Sequence, residues 1–502
     1  MSQPDGELRR KTLQGLVWQF LGVGGQRIVA LVGPVVIARS VSQDDIGLFA
    51  IVLTGIAVVE SLTLFMGEQS TISSTRGLER RYQDTVFTVR LARSIVISGL
   101  LCALAPAFAW FFRDPERDHH YWLTGLFLTL AANGFLDGLQ SPARAGKLKG
   151  MEFRRIVLGD FLAALLGMFC TIGFALWWRD VWALVIGHLC GTSLRTILSY
   201  VVAPHRPRLQ LDREVLRELF HYGKGAAGAP FLLVMIFASP ALVLGRFLVD
   251  AQGNRDRAGI AVFDYAARLA RLPEDVFLRV IAPVAVPAYA QLRLDRPRLA
   301  RAWLGAVRAF LLIGGPMSVA LAWLGGELPS IVFGSDYGEI DGLFALQALH
   351  GGMAGLTAVV GPLFWAVGIP GEDRRAQLFR SIAIYAVGIP ATISYGVVGF
   401  AWGMIAGISV ALVLSMVSAL RYLQLGLGQL LATGRDGALS CVCLAVVLLA
   451  VDGLFAPHGW WRFAAAGCTS GPLLALATLR ILRERRHAPP PPAPEPLPEP
   501  MP

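Results

Sequence analysis

Five charged residues recur along one apolar stretch of the chain at the spacing of a helical face. In chain order they are Asp264, Arg268, Arg271, Asp275 and Arg279. Gaps of four, three, four and four residues would place all five on one side of a continuous helix. Ionisable groups are costly at bilayer depth, so that side must meet water or protein rather than lipid. Two interpretations stay open: a ladder of ion pairs that only stabilises the helix, or a cationic surface, because three arginines outnumber two aspartates.

Other arginines also fall inside apolar stretches, notably Arg27 and Arg308. Guanidinium groups bind phosphate oxygens through two parallel hydrogen bonds and keep their proton in such surroundings. A polar cavity near Arg27, Arg268 and Arg271 would therefore suit a phosphate-bearing substrate. Arg279 and Arg308 are further candidates for the same role.

Acidic residues lie within apolar stretches as well. Glu60, Asp137 and Asp160 occupy the first half of the chain. Together with Asp264 and Asp275 they are candidates for binding a coupling ion. No G-x-x-x-x-G-K-[ST] phosphate loop is present, so we expect a transporter that does not hydrolyse nucleotide itself. No metal site or cofactor is predicted.

The elements that carry these charges must be membrane helices. Hydrophobic residues make up 55% of the 502 positions and charged residues only 16%, which excludes a soluble globule of this size. Apolar stretches of roughly 20 residues, each long enough to cross a bilayer as a helix, recur along the chain. We therefore predict an all-α polytopic membrane protein with about 14 transmembrane helices.

The predicted spans fall into two sets of six and a final pair. The first set is 13–38, 46–66, 91–112, 121–140, 156–177 and 181–203. The second set is 225–249, 259–290, 303–324, 343–367, 381–399 and 400–423, and the pair is 438–457 and 460–479. The segments between them hold most of the Lys and Arg residues on alternate sides, which predicts that both termini are cytoplasmic.

The predicted organisation follows from these spans. Its parts are a cytoplasmic N-terminus (1–12), an N-lobe of helices 1–6 (13–203), a cytoplasmic linker (204–224), a C-lobe of helices 7–12 (225–423), helices 13–14 (438–479) and a basic, then Pro-rich cytoplasmic tail (480–502). A faint internal repeat supports two related halves, since GPVVIAR at 33–39 is echoed by SPALVLGR at 239–246. Paired proline-interrupted helices in two halves are typical of transporters.

Three segments resemble a known family. They are ARSVSQDDIGLFAIVLT from Ala38, YAARLARLPEDVFLRVIAPVAVPAYAQL from Tyr265 and VFGSDYGEIDGLFALQAL from Val332. The chain resembles the polysaccharide transporters of the Wzx type, within the multidrug, oligosaccharidyl-lipid and polysaccharide exporter superfamily. The resemblance implies two pseudo-symmetric six-helix lobes in a V shape plus a C-terminal helix pair. It also implies that cationic residues on the first, seventh and eighth helices hold a diphosphate, here Arg27, Arg246, Arg268 and Arg271.

The function that this resemblance implies is that of a flippase. Undecaprenyl-diphosphate-linked oligosaccharide would pass from the cytoplasmic to the periplasmic leaflet of a bacterial inner membrane by alternating access, for exopolysaccharide, capsule or O-antigen assembly. Membrane lipids would be further partners, and a polysaccharide polymerase and export machinery are candidate partners. The net charge of +10 indicates contact with the cytoplasmic leaflet, not with nucleic acid. Two alternatives stay open: an exporter of a drug or another lipid on the same fold, and a membrane enzyme of glycan assembly.

Overall fold

The structure of the chain is a computed structural model. It describes residues 24–26, 29–62, 67–74, 76–114, 120–150, 152–226, 229–250, 252–278, 282–338, 340, 342–455 and 461–470. The predicted N-terminus (1–12) and tail (480–502) lie outside these residues. Arg27 and Arg279 lie outside them as well.

Helices dominate the described residues. The first half contains α1 (29–38), α2 (Gln43–Leu62), α3 (Gly67–Ser73), α4 (Arg80–Phe112), α5 (His120–Gly138), α6 (Ala143–Lys149), α7 (Phe153–Trp178), α8 (Val181–Val202) and α9 (Arg213–Ala226). The second half contains α10 (Ala229–Phe247), α11 (Arg257–Ala270), α12 (Leu272–Val276), α13 (Ala282–Leu292), α14 (Arg296–Leu324), α15 (Glu327–Phe333), a 3₁₀ turn (Ser335–Tyr337), α16 (Leu343–Ala366), α17 (Pro370–Leu423), α18 (Leu427–Phe455) and α19 (461–470). The all-α prediction is confirmed for the described part of the chain.

Seven of the described helices are long and apolar enough to cross a membrane: α4, α7, α8, α14, α16, α17 and α18. The last residues of these helices agree with the predicted spans within two residues, whereas α4, α14, α17 and α18 begin seven to eleven residues earlier than predicted. The total of about fourteen stays a prediction.

The eighth predicted span, 259–290, is not one helix. It consists of α11, α12 and α13, and the first break falls at Arg271, whose φ of −80° and ψ of 0° leave the helical region. Pro273 follows at once and has no N–H to donate to the carbonyl of Leu269, so an unbroken helix would lose a hydrogen bond here. The prediction that five charges share one face of a continuous helix is therefore wrong. The regular spacing holds from Asp264 to Arg268 within α11 and, beyond the break, from Arg271 to Asp275, whose backbone N–H donates to the carbonyl of Arg271.

Helix α17 reverses its direction at Gly396 and so consists of two antiparallel helices. The φ of 61° and ψ of −140° at Gly396 are open to glycine and strained for other residues. The two predicted spans 381–399 and 400–423 thus meet three residues earlier than expected. A Cβ added at Gly403 would overlap the Cα of Gly388, and one added at Gly407 would overlap Ile384. The repeated glycines of this helix therefore permit close packing against its own first half.

Contacts among the described residues gather into two compact units. The first takes the described parts of Met1–Leu269, Gly325–His350 and Pro370–Leu414, and the second takes those of Ala270–Leu324, Gly351–Ile369 and Ser415–Pro502. A core of large apolar side chains lies inside the second unit. Trp303, Phe310 and Phe364 are fully buried there, and the ring of Phe310 meets that of Phe277 edge-on at 4.6 Å. The predicted division into an N-lobe and a C-lobe stays a prediction.

Large aromatic side chains of the first unit are exposed where helices end on the predicted outer side. Tyr121 is the second residue of α5, Trp177 and Trp178 end α7, and Tyr395 precedes the reversal in α17. Tyrosine and tryptophan are enriched where a membrane meets water, because one part of each ring system is apolar and another is polar. These exposed rings are therefore placed as an interfacial belt requires.

Candidate functional site

Helix α11 is buried on nearly every side except at one stripe. Among residues 259–269, only Asp264 and Arg268 are not buried. Their side chains keep 42% and 44% of their surface exposed. The i, i+4 spacing places them one above the other. The part of the predicted cationic face that lies on α11 is therefore open to a ligand or to water.

Arg268 is held in place by two neighbours on its own helix. Its Nε and Nη2 donate to Asp264 Oδ2 at 3.0 and 2.9 Å. Its guanidinium carbon also lies 5.0 Å from the centre of the Tyr265 ring, a favourable cation–π distance. The first ion pair of the predicted ladder, between Asp264 and Arg268, is thus present. The same contacts orient a planar group of five donors toward the open stripe.

The buried side of α11 packs against aromatic residues from the segment that follows α14. The ring of Tyr265 meets Phe333 edge-on at 4.8 Å and Tyr337 at 5.1 Å. All three side chains are almost fully buried. This packing fixes the rotation of α11, and so it fixes the side on which Arg268 emerges. The sequence does not predict this contribution, because contacts across some seventy residues leave no local signal.

Polar groups are also buried beside α11. Gln347 Nε2 donates to the carbonyl of Phe263 at 2.9 Å. His350 lies one turn after Gln347 on α16. Arg380 Nη2 donates to His350 Nε2 at 3.3 Å, and both side chains are buried. The predicted spans leave Arg380 outside the membrane, because the eleventh span begins at Ser381. The sequence did not single out Arg380, and its pairing with His350 depends on two segments thirty residues apart.

The second unit contains Arg271, Asp275 and Arg308. Arg271 lies in the turn between α11 and α12, and its carbonyl accepts a hydrogen bond from the backbone N–H of Asp275 at 2.9 Å. Arg308 Nη2 donates to Asp436 Oδ2 on α18 at 2.8 Å. The side chains of Arg308 and Asp436 are mostly buried, at 29% and 24% exposure. Arg308 therefore has a fixed carboxylate partner that the sequence did not identify.

Arg246 lies in the last turn of α10, at the predicted outer end of that helix. Its guanidinium carbon lies 5.1 Å from the centre of the Phe111 ring, and its carbonyl accepts a hydrogen bond from the Arg255 guanidinium. The backbone N–H of Arg255 in turn donates to Asp114 Oδ2 at 3.0 Å. Arg246 thus belongs to a cluster at the predicted outer ends of the helices.

A second contact at these outer ends joins α1 to the segment after α14. Arg39 Nη2 donates to the carbonyls of Ile331 and Val332 at 3.0 and 3.3 Å. These carbonyls end α15, where the helix dipole favours a cation. Within the first unit, residues of the predicted N-lobe and C-lobe therefore meet directly at the outer ends.

Two acidic candidates of the first half, Glu60 and Asp137, belong to one polar network between helices. Asp137 accepts hydrogen bonds from Arg90 at 3.1 Å and from Gln140 at 2.6 Å. Arg93 donates to the backbone carbonyl of Glu60 at 3.0 Å, and the Glu60 carboxylate interacts with Asn133 and Asp137. Two carboxylates near two arginines could exchange a proton or a cation while the total charge stays compensated.

Asp160 is separate from that network. It accepts a hydrogen bond from Arg144 Nη2 at 2.6 Å, and Glu68 lies 3.9 Å from the same guanidinium. Within the described ranges no group of three or more His, Cys, Asp or Glu residues could hold a metal ion. The coupling role of Glu60, Asp137, Asp160, Asp264 and Asp275 stays a prediction.

Comparisons with known proteins agree with this architecture. A family model described as "Polysaccharide biosynthesis protein" matches residues 36–341. The succinoglycan biosynthesis transport protein ExoT of Rhizobium meliloti is 24% identical over 76% of this chain and 73% of its own length. The lipopolysaccharide biosynthesis protein WzxC of Escherichia coli is 22% identical over 80% of this chain and 78% of its own length.

Solved structures share the fold. The lipid II flippase MurJ, in an inward closed conformation, superposes with a TM-score of 0.70 at 14% identity and covers 94% of this chain and 100% of its own. An inward-facing multidrug resistance transporter of the MATE family reaches 0.62 at 17% identity, over 80% of this chain and 94% of its own. The family model spans more than half of the 502 residues, and the helices and the fold agree with it. The chain is therefore a multi-pass membrane protein that belongs to the polysaccharide biosynthesis protein family, within the transporter superfamily of Wzx-type flippases.

Proposed function

We propose that this protein is a flippase for undecaprenyl-diphosphate-linked oligosaccharide. The cargo passes from the cytoplasmic to the periplasmic leaflet of the bacterial inner membrane, both termini are cytoplasmic, and the protein catalyses no reaction itself. The names of the relatives support a role in exopolysaccharide or lipopolysaccharide assembly. A polymerase and export machinery would receive the cargo. The observation that carries the proposal is the half-exposed Arg268 on the open stripe of α11.

The physical argument begins with the charge of the cargo. A diphosphate attached to several sugars cannot enter hydrocarbon, because each uncompensated charge costs at least ~2.5 kcal/mol at the bilayer centre. A flippase must therefore replace water with fixed donors. Arg268 suits this role because its guanidinium stays protonated and matches phosphate oxygens in geometry.

Asp264 has a part in the same step. It already accepts two hydrogen bonds from Arg268, so Arg268 remains compensated when no cargo is present. A phosphate could take over these donors, and Asp264 would compete for them when the cargo leaves. Such an exchange favours release of the cargo, and so repeated transport, over tight binding of the cargo.

Alternating access would require the outer ends of the helices to separate. Two of the contacts that join them, Arg39 with α15 and Arg255 with Asp114, are hydrogen bonds. Water can replace each of these hydrogen bonds on opening, so each contributes little net free energy. This arrangement supports a cycle in which release to the periplasm follows the separation of these contacts.

The proposal is tested by flipping in vesicles loaded with lipid-linked saccharide. Arg268→Ala should lower the flipping rate at normal membrane abundance. Arg298→Ala is a matched control, since Arg298 Nε lies 3.0 Å from Asp295 Oδ2 with similar exposure, 46% and 41%, but outside the predicted spans. Parental flipping by the Arg268→Ala protein would contradict the proposed role of Arg268. Failure of the parental protein to flip any lipid-linked saccharide would contradict the function.

A further inference from the structure

An open pocket lies at the start of α4, on the predicted cytoplasmic side of the first unit. Its volume is about 390 Å³, within the range of ligand sites. The residues that line it come from the segment before α4, from α4 and from the chain just after α8: Leu78, Arg80, Gln83, Pro204, His205 and Arg206. None of them belongs to the candidate transport site. A role in transport therefore does not account for this pocket.

A buried carboxylate holds the walls of this pocket together. Asp84 is 1% exposed. It accepts hydrogen bonds from His205 Nε2 at 2.8 Å and from the backbone N–H of Arg208 at 3.1 Å, and Arg80 Nε lies 3.8 Å away. These bonds fix the irregular chain after α8 to the side of α4. The pocket is thus preorganised although one wall has no regular secondary structure.

Two threonines of α4 extend this attachment along the same chain. Thr88 Oγ1 accepts a hydrogen bond from the backbone N–H of Gln210, and Thr85 Oγ1 accepts one from that of Asp212, both at 3.1 Å. Helix α9 then packs Val215 and Leu219 against Tyr82 and Val86. The predicted linker 204–224 is therefore docked on α4 rather than free.

The charge of the pocket favours an anion. Arg80 and Arg206 line it, and both side chains are exposed. Arg80 Nη2 also donates to the backbone carbonyl of Arg206 at 3.4 Å. The other groups that face the two arginines are His205 and the buried Asp84, whose single negative charge is shared with His205 and Arg80. Two guanidiniums against one carboxylate leave a net positive charge. A guanidinium group can bind phosphate oxygens through two parallel hydrogen bonds.

Exposed apolar side chains occur in the pocket wall and in the chain that continues from it: Leu78 lines the pocket, and Leu209, Leu211 and Phe220 follow Arg206 in the sequence. Leu78, Leu209, Leu211 and Phe220 each leave more than half of their surface uncovered. Four large apolar side chains beside exposed arginines form the pattern of a segment at a membrane surface, where apolar groups insert and cations meet anionic head groups. A soluble anion would make no use of these apolar groups, so the combination favours a lipid.

We propose that this pocket binds the phosphate head group of an anionic phospholipid. Arg80 and Arg206 contact the phosphate, and Leu209 and Leu211 meet the acyl chains. The bound lipid ties α4 to the chain after α8 at the membrane surface. This site is distinct from the proposed transport function, and its test needs no transport.

The test is native mass spectrometry of the full-length protein released from membranes of phosphatidylglycerol and phosphatidylcholine. The parental protein should retain phosphatidylglycerol in preference to phosphatidylcholine. The double variant Arg80→Gln, Arg206→Gln should bind phosphatidylglycerol about tenfold or more weakly, because two surface cations are lost. A matched control is Arg155→Gln with Arg375→Gln, which removes two exposed arginines from other segments predicted on the same side and should bind as the parental protein does.

Three outcomes would overturn the proposal. The double variant could retain as much phosphatidylglycerol as the parental protein, or the control variant could lose as much as the double variant does. Displacement of the lipid by millimolar inorganic phosphate would instead indicate a site for a free anion. The charge-retaining variant Arg80→Lys, Arg206→Lys guards against misfolding. It should keep the preference for phosphatidylglycerol, and loss of that preference by a monodisperse protein would also contradict the proposal.

Discussion

Arg268 Nη2 lies 2.9 Å from Asp264 Oδ2, one helical turn away on α11. Both residues stand on the single open stripe of a helix that is otherwise buried. A salt bridge between half-exposed groups contributes little to stability. The position of the pair is therefore better explained by contact with a ligand than by support of the fold.

Conservative and non-conservative changes at Arg268 should separate charge from geometry. Arg268→Lys keeps the charge but loses the planar donor pair, so flipping should fall modestly. Arg268→Ala should lower the flipping rate roughly ten- to hundredfold, as expected for the loss of a hydrogen bond to a charged group. Flipping is measured in vesicles, with membrane abundance measured alongside. Equal rates for the two variants would argue against recognition by guanidinium geometry.

Removal of the competing carboxylate should have a different effect. Asp264→Asn leaves Arg268 without a charged partner, so binding of lipid-linked saccharide should become tighter while turnover slows. Both quantities are measured on the purified protein, binding by titration and turnover in vesicles. Weaker binding in this variant would contradict the proposed competition, because it would show that the orientation of Arg268 by Asp264 matters more for binding than competition for its donors.

The Arg308–Asp436 pair should matter for stability. Either Arg308→Met or Asp436→Asn removes the ion pair at 2.8 Å from a largely buried charge, which should lower the free energy of unfolding by roughly 1–3 kcal/mol. Thermal unfolding in detergent reports the loss, and the double variant should recover part of it. Additive losses in the double variant would show that the two residues do not interact.

Gly403 is a test of the close packing within α17. A methyl group at this position would overlap Gly388, so Gly403→Ala should destabilise the protein by roughly 1–3 kcal/mol. Gly428→Ala is the control, because no atom lies within 4 Å of its added Cβ. The two variants are compared by thermal unfolding. Equal stability would contradict the close approach of the two antiparallel helices.

Tyr337 packs on Tyr265 with a hydroxyl that has no hydrogen-bond partner among the described residues. Tyr337→Phe should therefore be neutral or stabilise the protein by about 1 kcal/mol, since an unsatisfied buried polar group is removed. Tyr337→Ala should destabilise it by roughly 3–5 kcal/mol, because the ring is lost from the core. The stabilities of the two variants are compared by thermal unfolding. A marked loss in the phenylalanine variant would indicate a hydroxyl contact that supports the fold.

The predicted topology can be tested independently of transport. A reporter fused after Pro502 should be cytoplasmic. In a cysteine-free background, cysteines at Tyr121 and Trp177 should react with a membrane-impermeant thiol reagent from the periplasm, and one at Leu209 should not. The reverse pattern would invert the orientation of every span.

Composition and hydropathy were enough to indicate an all-helical membrane protein and the residues at which its long helices end, but not the residues at which four of them begin. Membrane helices satisfy their own backbone hydrogen bonds, so runs of apolar residues alone define them. The spacing of Asp264 and Arg268 likewise indicated an ion pair on one face. These are local properties, and they are apparent from consecutive residues.

The remaining features depend on contacts between distant segments. Pro273 gave a local hint of a break, yet the regular charge spacing across it suggested continuity, and only the backbone at Arg271 showed where α11 ends. The partners of Arg308 and Arg380 lie on other helices. The rotation of α11 is set by aromatic packing with Phe333 and Tyr337. Which charge is compensated and which is exposed was therefore decided by tertiary packing, because one helix cannot specify the neighbours that cover it.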